Sequence, residues 1–165
     1  MSPVQHLLSH SDSRDFRGRR VLHVTTVHPW DDTRIYRKEC LGLRAAGLEI
    51  ILAAPDAPPG QTPEGIPTIR FPKVRFRPLR MLAGPLLVAW AACHARPDIL
   101  HLHDPELMPI GALLRWFGFR CVFDMHENLP AATLTKEWLS PRAARLLSNV
   151  VRVLESVFLK RLRHQ

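Results

Sequence analysis

Short apolar runs alternate with longer segments of helical periodicity along most of the chain. The runs rich in Val, Ile and Leu are predicted strands, at residues 21–26, 48–54, 66–71, 98–103 and 120–125. Near-continuous apolar strands separated by helices are typical of a parallel sheet that is covered on both faces. The pattern therefore predicts an α/β fold, a Rossmann-like open parallel sheet with helices on both faces.

Helical periodicity and stop signals predict the helices between these strands. The Asp31-Asp32 pair offers an N-cap for the first helix, whose apolar stripe is Tyr36, Cys40 and Leu43, and Gly47 ends it. Gly84-Pro85 is expected to open the second helix. Its residues 86–95 are apolar on nearly every face, which predicts that it is well buried. A third helix starts at 104–106 and ends at Gly118.

The two ends of the chain differ from this regular middle. Residues 1–20 are rich in Ser, Asp, His and Arg and are expected to be a disordered leader before a domain at 21–165. Pro141 opens a long amphipathic helix that no further strand follows. Because a right-handed crossover needs its second strand, we expect the domain to be cut rather than finished.

Composition places the chain among globular intracellular proteins. Apolar residues make up 46% and charged residues 23% of the sequence. The odd number of cysteines, 3, without paired spacing favours reduced thiols. There is no signal-peptide pattern, and the longest apolar run, 85–93, is far shorter than the roughly 20 residues of a spanning helix. We therefore expect a cytoplasmic protein.

The net charge of +8 leaves two interpretations open. The basic residues are scattered over 14–20, 70–80 and the C-terminal stretch, which is typical of a solvated surface. A face that attracts an anionic substrate is the alternative. No nucleic-acid-binding motif accompanies the basic residues, so we expect no nucleic-acid partner.

Polar residues gather where three predicted strands end. Strand one runs into Thr25, Thr26 and His28, strand four into His103 and Asp104, and strand five into Asp124, His126 and Glu127. Ligands of open α/β sheets bind beyond the carboxyl ends of the strands, so these residues form a candidate site. His126, beside Glu127, is a candidate to orient a hydroxyl or accept a proton. A loop histidine that shapes the turn is the alternative.

Other polar residues along the same edge have structural alternatives. His101 and His103 lie on the same face of strand four. His101 is interpreted as a structural residue, and the role of His103 stays open. Asp104 is interpreted as an N-cap before Pro105. Arg34 is either a clamp for phosphate or carboxylate or a solvated helix residue. His23 is expected in the core, and Glu106 favours a helix N-terminus.

Three segments carry a family resemblance: VLHVTTVHPWDDTRIYRKECLGLRAAGLEI, DILHLHDPELMPIGALLRWFG and VFDMHENLP. Together they resemble the N-terminal domain of family 4 glycosyltransferases, which have the two-domain GT-B architecture. The resemblance covers residues 21–130.

The resemblance implies transfer of a sugar from a nucleotide sugar to a sugar or lipid-linked acceptor, as in polysaccharide biosynthesis. Transfer would proceed with retention and without a metal or cofactor, the nucleotide sugar being a co-substrate. His126 matches the family's histidine near the transferring sugar, and 103–106 matches the stretch that lines the cleft. The implied substrate-binding set is His28, Arg34, His103, Asp104, Glu106 and Glu127. Partners would be a C-terminal half or partner chain and, at most, peripheral contact with the inner face of the membrane.

Two departures from the family pattern bear on the donor. The loop after strand one, residues 28–34, lacks the Gly-Gly pair that many relatives carry, and Arg34 is a candidate substitute. The sequence also lacks the two glutamates, separated by seven residues, that hold the nucleotide sugar. We therefore expect this chain to be the acceptor-side half, without the donor-binding domain and inactive alone.

Three other function classes compete with this interpretation. A metal-dependent hydrolase is suggested by the histidines, but Pro105 stands where a His-x-His-x-Asp pattern needs its aspartate. A dinucleotide-binding oxidoreductase needs G-x-G-x-x-G after strand one, and that turn contains no glycine. A non-catalytic acceptor- or partner-binding module, or a truncated gene product, stays open.

Overall fold

The computed structural model of the chain describes residues 16–124. Five parallel strands form one sheet in the order β3-β2-β1-β4-β5. They are β1 (Arg20–Val24), β2 (Glu49–Pro55), β3 (Thr68–Phe71), β4 (Ile99–Leu102) and β5 (Cys121–Phe123). The predicted α/β fold with an open parallel sheet is confirmed, and each strand lies within one or two residues of its predicted bounds.

Helical segments connect the strands. A π-helix, Thr33–Cys40, continues into α1 (Leu41–Ala45) between β1 and β2. Helix α2 (Arg77–Ala95) joins β3 to β4. A 3₁₀ turn, Pro105–Leu107, continues into α3 (Met108–Trp116) before β5. Gly118, with φ of 90°, ends that segment as predicted.

Alternation along the strands divides the core between the two faces of the sheet. Leu22, Val24 and Leu100 pack on one face with α2 and α3. Val21 and Leu52 pack on the other face with residues of the π-helix. Because successive side chains of a strand point to opposite faces, both faces need a cover. The helices supply it, as predicted.

The first helical segment confirms its predicted signals. The Asp32 carboxylate accepts hydrogen bonds from the backbone N–H groups of Arg34 and Ile35, so Asp32 is the N-cap. Its carbonyl accepts from Tyr36 N at 2.9 Å and from Arg37 N at 3.4 Å, which marks the wide first turn. Gly47, with φ of 95°, ends the segment. Short π-helical stretches are often found at functional sites.

The prediction for the second helix is wrong in its start and in its burial. The helix begins at Arg77 and contains Pro85 in its interior. Leu82 and Leu86 are 73% and 72% exposed. The buried face consists mainly of small residues: Gly84, Val88, Ala91, Ala92 and Ala95. Apolar composition therefore did not identify the packed face, because the small residues of this helix are buried and its large apolar residues are exposed.

Several sequence predictions lie outside the described residues. They are most of the leader, the helix from Pro141, and everything after Asp124, including His126 and Glu127. Within the described part, residues 16–19 precede β1, and Gly18 N donates to Gly47 O at 2.9 Å.

Candidate functional site

The carboxyl ends of three neighbouring strands bring the candidate residues to one edge of the sheet. β1 ends at Val24, β4 at Leu102 and β5 at Phe123, and β4 lies between the other two. The polar residues that follow these strands therefore share one edge, as the sequence predicts.

A buried carboxylate ties the end of β1 to the end of β4. Asp104 is 1% exposed and accepts hydrogen bonds from the hydroxyls of Thr25 and Thr26, each at 3.0 Å, and from Thr26 N. We call Asp104, Thr25 and Thr26 the Asp104 cluster. Burial raises the pKa of Asp104, and the hydrogen bonds from Thr26 and Thr25 oppose that effect.

The predicted N-cap role of Asp104 is wrong at the level of the side chain. Asp104 occupies the position before the 3₁₀ turn but makes no side-chain capping hydrogen bond. Its carboxylate faces β1, where three donors are available, and these outcompete the turn that follows.

Next to the Asp104 cluster lies an ion pair. Glu106 accepts from Arg80 Nε at 2.7 Å and from Arg80 Nη2 at 3.3 Å, and also from the Thr26 hydroxyl at 3.2 Å. This paired geometry joins α2 to the 3₁₀ turn. Glu106 therefore lies at the predicted edge with its charge matched by a neighbouring arginine.

His28 is the more accessible histidine of this edge. Its side chain is 38% exposed, and its Nε2 lies 3.8 Å from Asp104 Oδ1. Its Nδ1 lies 3.7 Å from Asp32 Oδ2. The ring therefore lies over the Asp104 cluster with one side open to solvent.

Three histidine rings and a glutamate form a second group beside the first. We call His23, His101, His103 and Glu39 the histidine cluster. His23 Nδ1 and His103 Nε2 face each other at 3.0 Å, and the rings of His101 and His103 have centroids 4.4 Å apart. Glu39 Oε2 lies 3.9 Å from Nδ1 of both His101 and His103.

Burial determines the charge state of the histidine cluster. The pKa of His103 falls to about 3, chiefly because of burial and then because of His101, while Asp124 opposes the fall. Burial also holds the pKa of His23 well below 6.5, assisted by His101 and His103. Both rings are therefore neutral near pH 7, with one lone pair each.

Charged side chains flank the histidine cluster. Asp124 Oδ2 lies 3.3 Å from His103 Nδ1 and also accepts a hydrogen bond from the Arg34 guanidinium. Arg34 Nη1 lies 3.6 Å from Glu39 Oε1. Arg34 is thus held between two carboxylates at the carboxyl end of β5, with 31% of its side chain exposed.

The structure brings together five of the six predicted substrate-binding residues at the same edge: His28, Arg34, His103, Asp104 and Glu106. His28 and Arg34 are accessible, whereas the side chains of His103 and Asp104 are 0% and 1% exposed. Glu127, with the candidate catalytic His126, lies outside the described residues. Their roles stay predictions.

Sequence reasoning missed two partners and the grouping of two histidines. Glu39 and Arg80 were not among the candidates, and His23 and His101 were taken as separate core residues. The sequence contained a signal for Glu39. This residue precedes Cys40, which belongs to the apolar stripe of the helix, and a carboxylate beside a buried stripe needs a polar partner. For the histidines the signal was the strand pairing of residue 23 with residue 101.

A concave region also exists at the opposite edge of the sheet. A depression of about 650 Å³ lies there among Arg19, Arg96, Asp98 and Arg120. Arg19 already pairs with Asp98 at 3.4 Å, and no histidine among residues 16–124 lines the depression. The carboxyl edge, where titratable and hydrogen-bonding groups converge, is the better candidate site.

Within residues 16–124, no helix combines the length and the apolar character required to cross a membrane.

Comparison with known proteins gives one positive finding. A model of the glycosyl transferase 4-like domain matches residues 33–164, about four fifths of the chain. No curated protein and no solved structure matches the sequence. The family match includes the helix of Arg34, the strand that ends at His103 and the segment after β5. The chain therefore belongs to the glycosyl transferase 4-like domain family.

Proposed function

We propose that this chain forms the acceptor side of a retaining, metal-independent glycosyltransferase. The enzyme would move a sugar from a nucleotide-sugar donor to a sugar or lipid-linked acceptor. One observation carries the proposal: a member of a glycosyltransferase family has its polar residues converging at the carboxyl ends of β1, β4 and β5. This edge is where open α/β sheets bind ligands.

Exposure and hydrogen bonding suggest distinct roles within this edge. The side chains of His28 and Arg34 are partly exposed, at 38% and 31%, so we assign them to acceptor hydroxyl or phosphate groups. Asp104 and His103 lie beneath them and act as positioning residues. Glu106 acts through its paired contact with Arg80.

His126 is the proposed catalytic residue, with Glu127 beside it as a binding residue. This assignment rests on the family resemblance and on sequence order, because residue 126 follows Asp124 at the end of β5 by two positions. An imidazole there would orient or deprotonate an acceptor hydroxyl. The nucleotide sugar would be held by a separate donor-binding domain or partner chain, without an organic cofactor.

The proposal is tested by comparing the chain alone with the chain joined to a donor-binding domain of the same family. We expect no sugar transfer by the 165-residue chain alone and measurable transfer by the joined protein. In the joined protein, His126→Ala should lower kcat by about 100-fold. His28→Ala should mainly raise KM for the acceptor, because its role is binding.

The matched control is His94→Ala, an exposed histidine that stacks on Trp90 in α2, away from the carboxyl edge. Transfer by the isolated chain would contradict the division into two halves. An unchanged kcat in His126→Ala would reduce that histidine to a structural residue. Acceptor binding without transfer in the joined protein would favour the alternative, a non-catalytic acceptor-binding module.

We also propose peripheral contact with an anionic membrane surface at the cytoplasmic face. The supporting observation is the exposed apolar face of α2, where Leu82, Leu86 and Trp90 are 73%, 72% and 54% exposed. Arg75 lies just before this helix. An apolar helix face with basic residues nearby is typical of interfacial binding.

Vesicle flotation tests this contact. We expect the chain to bind vesicles that contain anionic phospholipid and to lose most of that binding when Leu82 and Leu86 are both changed to Asp. The control is Val122→Asp, an exposed apolar residue of β5 at 45% exposure. Equal binding by all three proteins, or none by the unaltered chain, would refute the membrane contact.

A further inference from the structure

The histidine cluster has the composition of a metal-binding site. Ligand-capable atoms from its four residues all lie within 4.8 Å of one another. They come from β1, β4 and the π-helix, three elements that pack together at the carboxyl edge. We propose that the histidine cluster binds one divalent transition-metal ion of the zinc type.

The donor set fits zinc in number and in kind. Structural zinc sites are tetrahedral, and imidazole nitrogen and carboxylate oxygen are ordinary ligands at about 2.0–2.2 Å. In that geometry neighbouring ligand atoms are about 3.4 Å apart. His23 Nδ1 and His103 Nε2 are 3.0 Å apart, and Glu39 Oε2 is 3.9 Å from His101 Nδ1. Metal binding would require the four ligand atoms, which lie within 4.8 Å of one another, to move to this spacing.

The two ring nitrogens of His23 have different relations to the site. The side chain of His23 is fully buried, and among residues 16–124 its Nε2 has no hydrogen-bond partner. An imidazole binds an ion through one nitrogen, so an ion at Nδ1, which faces His103, would leave Nε2 without a partner. In addition, the two ring nitrogens that face each other at 3.0 Å share a single proton when no ion is bound. An ion accepts lone pairs from this group without needing that proton.

The surroundings of His103 match the outer shell of metal sites. A ligating histidine usually donates its second ring N–H to a carboxylate, which fixes the tautomer. Asp124 Oδ2 lies 3.3 Å from His103 Nδ1, and Arg34 in turn donates to Asp124. This arrangement leaves Nε2 of His103 as the ligand atom.

The ion would have a structural role. Four protein ligands close a tetrahedral site and leave no position for water or substrate, in contrast to catalytic zinc. It would cross-link β1, β4 and the π-helix directly beneath His28 and Arg34. This inference does not rest on the proposed sugar transfer, and a structural ion is compatible with a metal-independent reaction.

Calorimetric titration of the chelator-treated 165-residue chain with Zn²⁺ tests the site. We expect about one ion per chain and a higher thermal midpoint with zinc. His101→Ala and Glu39→Gln should each weaken zinc affinity at least tenfold, and Asp124→Asn by about 10–100-fold. His94→Ala should keep the affinity, because His94 lies in α2, outside the cluster.

Cobalt substitution supplies a measurement that needs no variant to fold. Co²⁺ in the unaltered chain should give the intense visible absorption of a tetrahedral nitrogen and oxygen site, without a thiolate charge-transfer band. The weak spectrum of octahedral cobalt would overturn the proposal. So would zinc affinity that is the same in Glu39→Gln and the unaltered chain, or no zinc binding at micromolar concentrations.

Discussion

Two neighbouring groups fasten the end of β1 to the end of β4, and they differ in how complete they are. In the Asp104 cluster, a carboxylate that is 1% exposed receives hydrogen bonds from two hydroxyls and one backbone N–H. In the histidine cluster, one buried nitrogen of His23 has no hydrogen-bond partner among the described residues. The first is satisfied by protein groups alone, and the second is not.

The difference comes from the chemistry of the partners. A threonine hydroxyl can rotate toward a carboxylate, and a backbone N–H can point at it. Both donate hydrogen bonds without any change of charge. When two imidazole nitrogens face each other, only one of them can carry the proton of the hydrogen bond between them. Burial keeps both His23 and His103 neutral. The hydrogen-bonding needs of a buried carboxylate with enough donors are therefore met by the protein itself. Several buried neutral imidazoles beside a carboxylate present lone pairs that a cation would accept.

Removing the Asp104 carboxylate should produce the largest change in stability. Asp104→Ala leaves three donors at the end of β1 without their acceptor, so we expect the free energy of unfolding to fall by about 3 kcal/mol. Urea denaturation measures the change.

The control is Asp98→Ala at the opposite edge of the sheet. Asp98 accepts from Arg20 N at 2.8 Å but has a side chain that is 41% exposed, so we expect a much smaller loss of stability than in Asp104→Ala. Equal losses of unfolding free energy in the two variants would show that the Asp104 cluster does not stabilise the fold more than an exposed carboxylate does.

Acidification should weaken the histidine cluster and not the Asp104 cluster. Unfolded histidines bind protons near pH 6.5, whereas folded His103 does so only near pH 3, so stability falls as the pH drops below about 6.5. Asp104 has the opposite sign: its raised pKa means that its contribution is lost as the pH rises through the folded value. Between pH 7 and pH 5, we expect His103 alone to contribute a loss of about 2 kcal/mol in the metal-free chain, and His23 adds to the loss in the same direction.

Unfolding free energies measured at several pH values with a chelator present test this difference. His23 and Glu39 also face His103, together with His101 and Arg34, which lower its pKa, and Asp124, which raises it. His103→Gln should reduce the slope of stability against pH, and His94→Ala should not. A flat profile between pH 5 and pH 7 would contradict the assignment of neutral buried rings.

The sequence predicts the sheet and the edge where the site lies because both depend on local patterns. Apolar runs identify the five strands, and the residues that directly follow them identify His28, His103 and Asp104. These predictions need only strand ends and the rule for ligand sites in parallel sheets. The capping motif at Asp32 is local in the same way.

What the sequence did not predict depends on packing between distant segments. Glu39 reaches the histidines only because the π-helix lies over β1 and β4, and Asp104 turns away from its own helix because Thr25 and Thr26 lie opposite. The start and the exposed face of α2 also depend on contacts with distant segments, such as those of Gly84 with Leu107 and Thr26. No single-segment pattern contains these relationships.

The histidine cluster depends on the alternation of side chains along β4, because only every second residue faces the same side of the sheet as His23. His23 stands opposite His101 in the register, and His103 follows two residues later on the same face. Inserting one residue in β4 before His101 would bring leucines to that face and turn both β4 histidines toward the other core. The composition would be almost unchanged, yet the cluster would be lost. Among related sequences, the parity of this spacing would therefore distinguish chains that retain the cluster from chains that merely contain histidines.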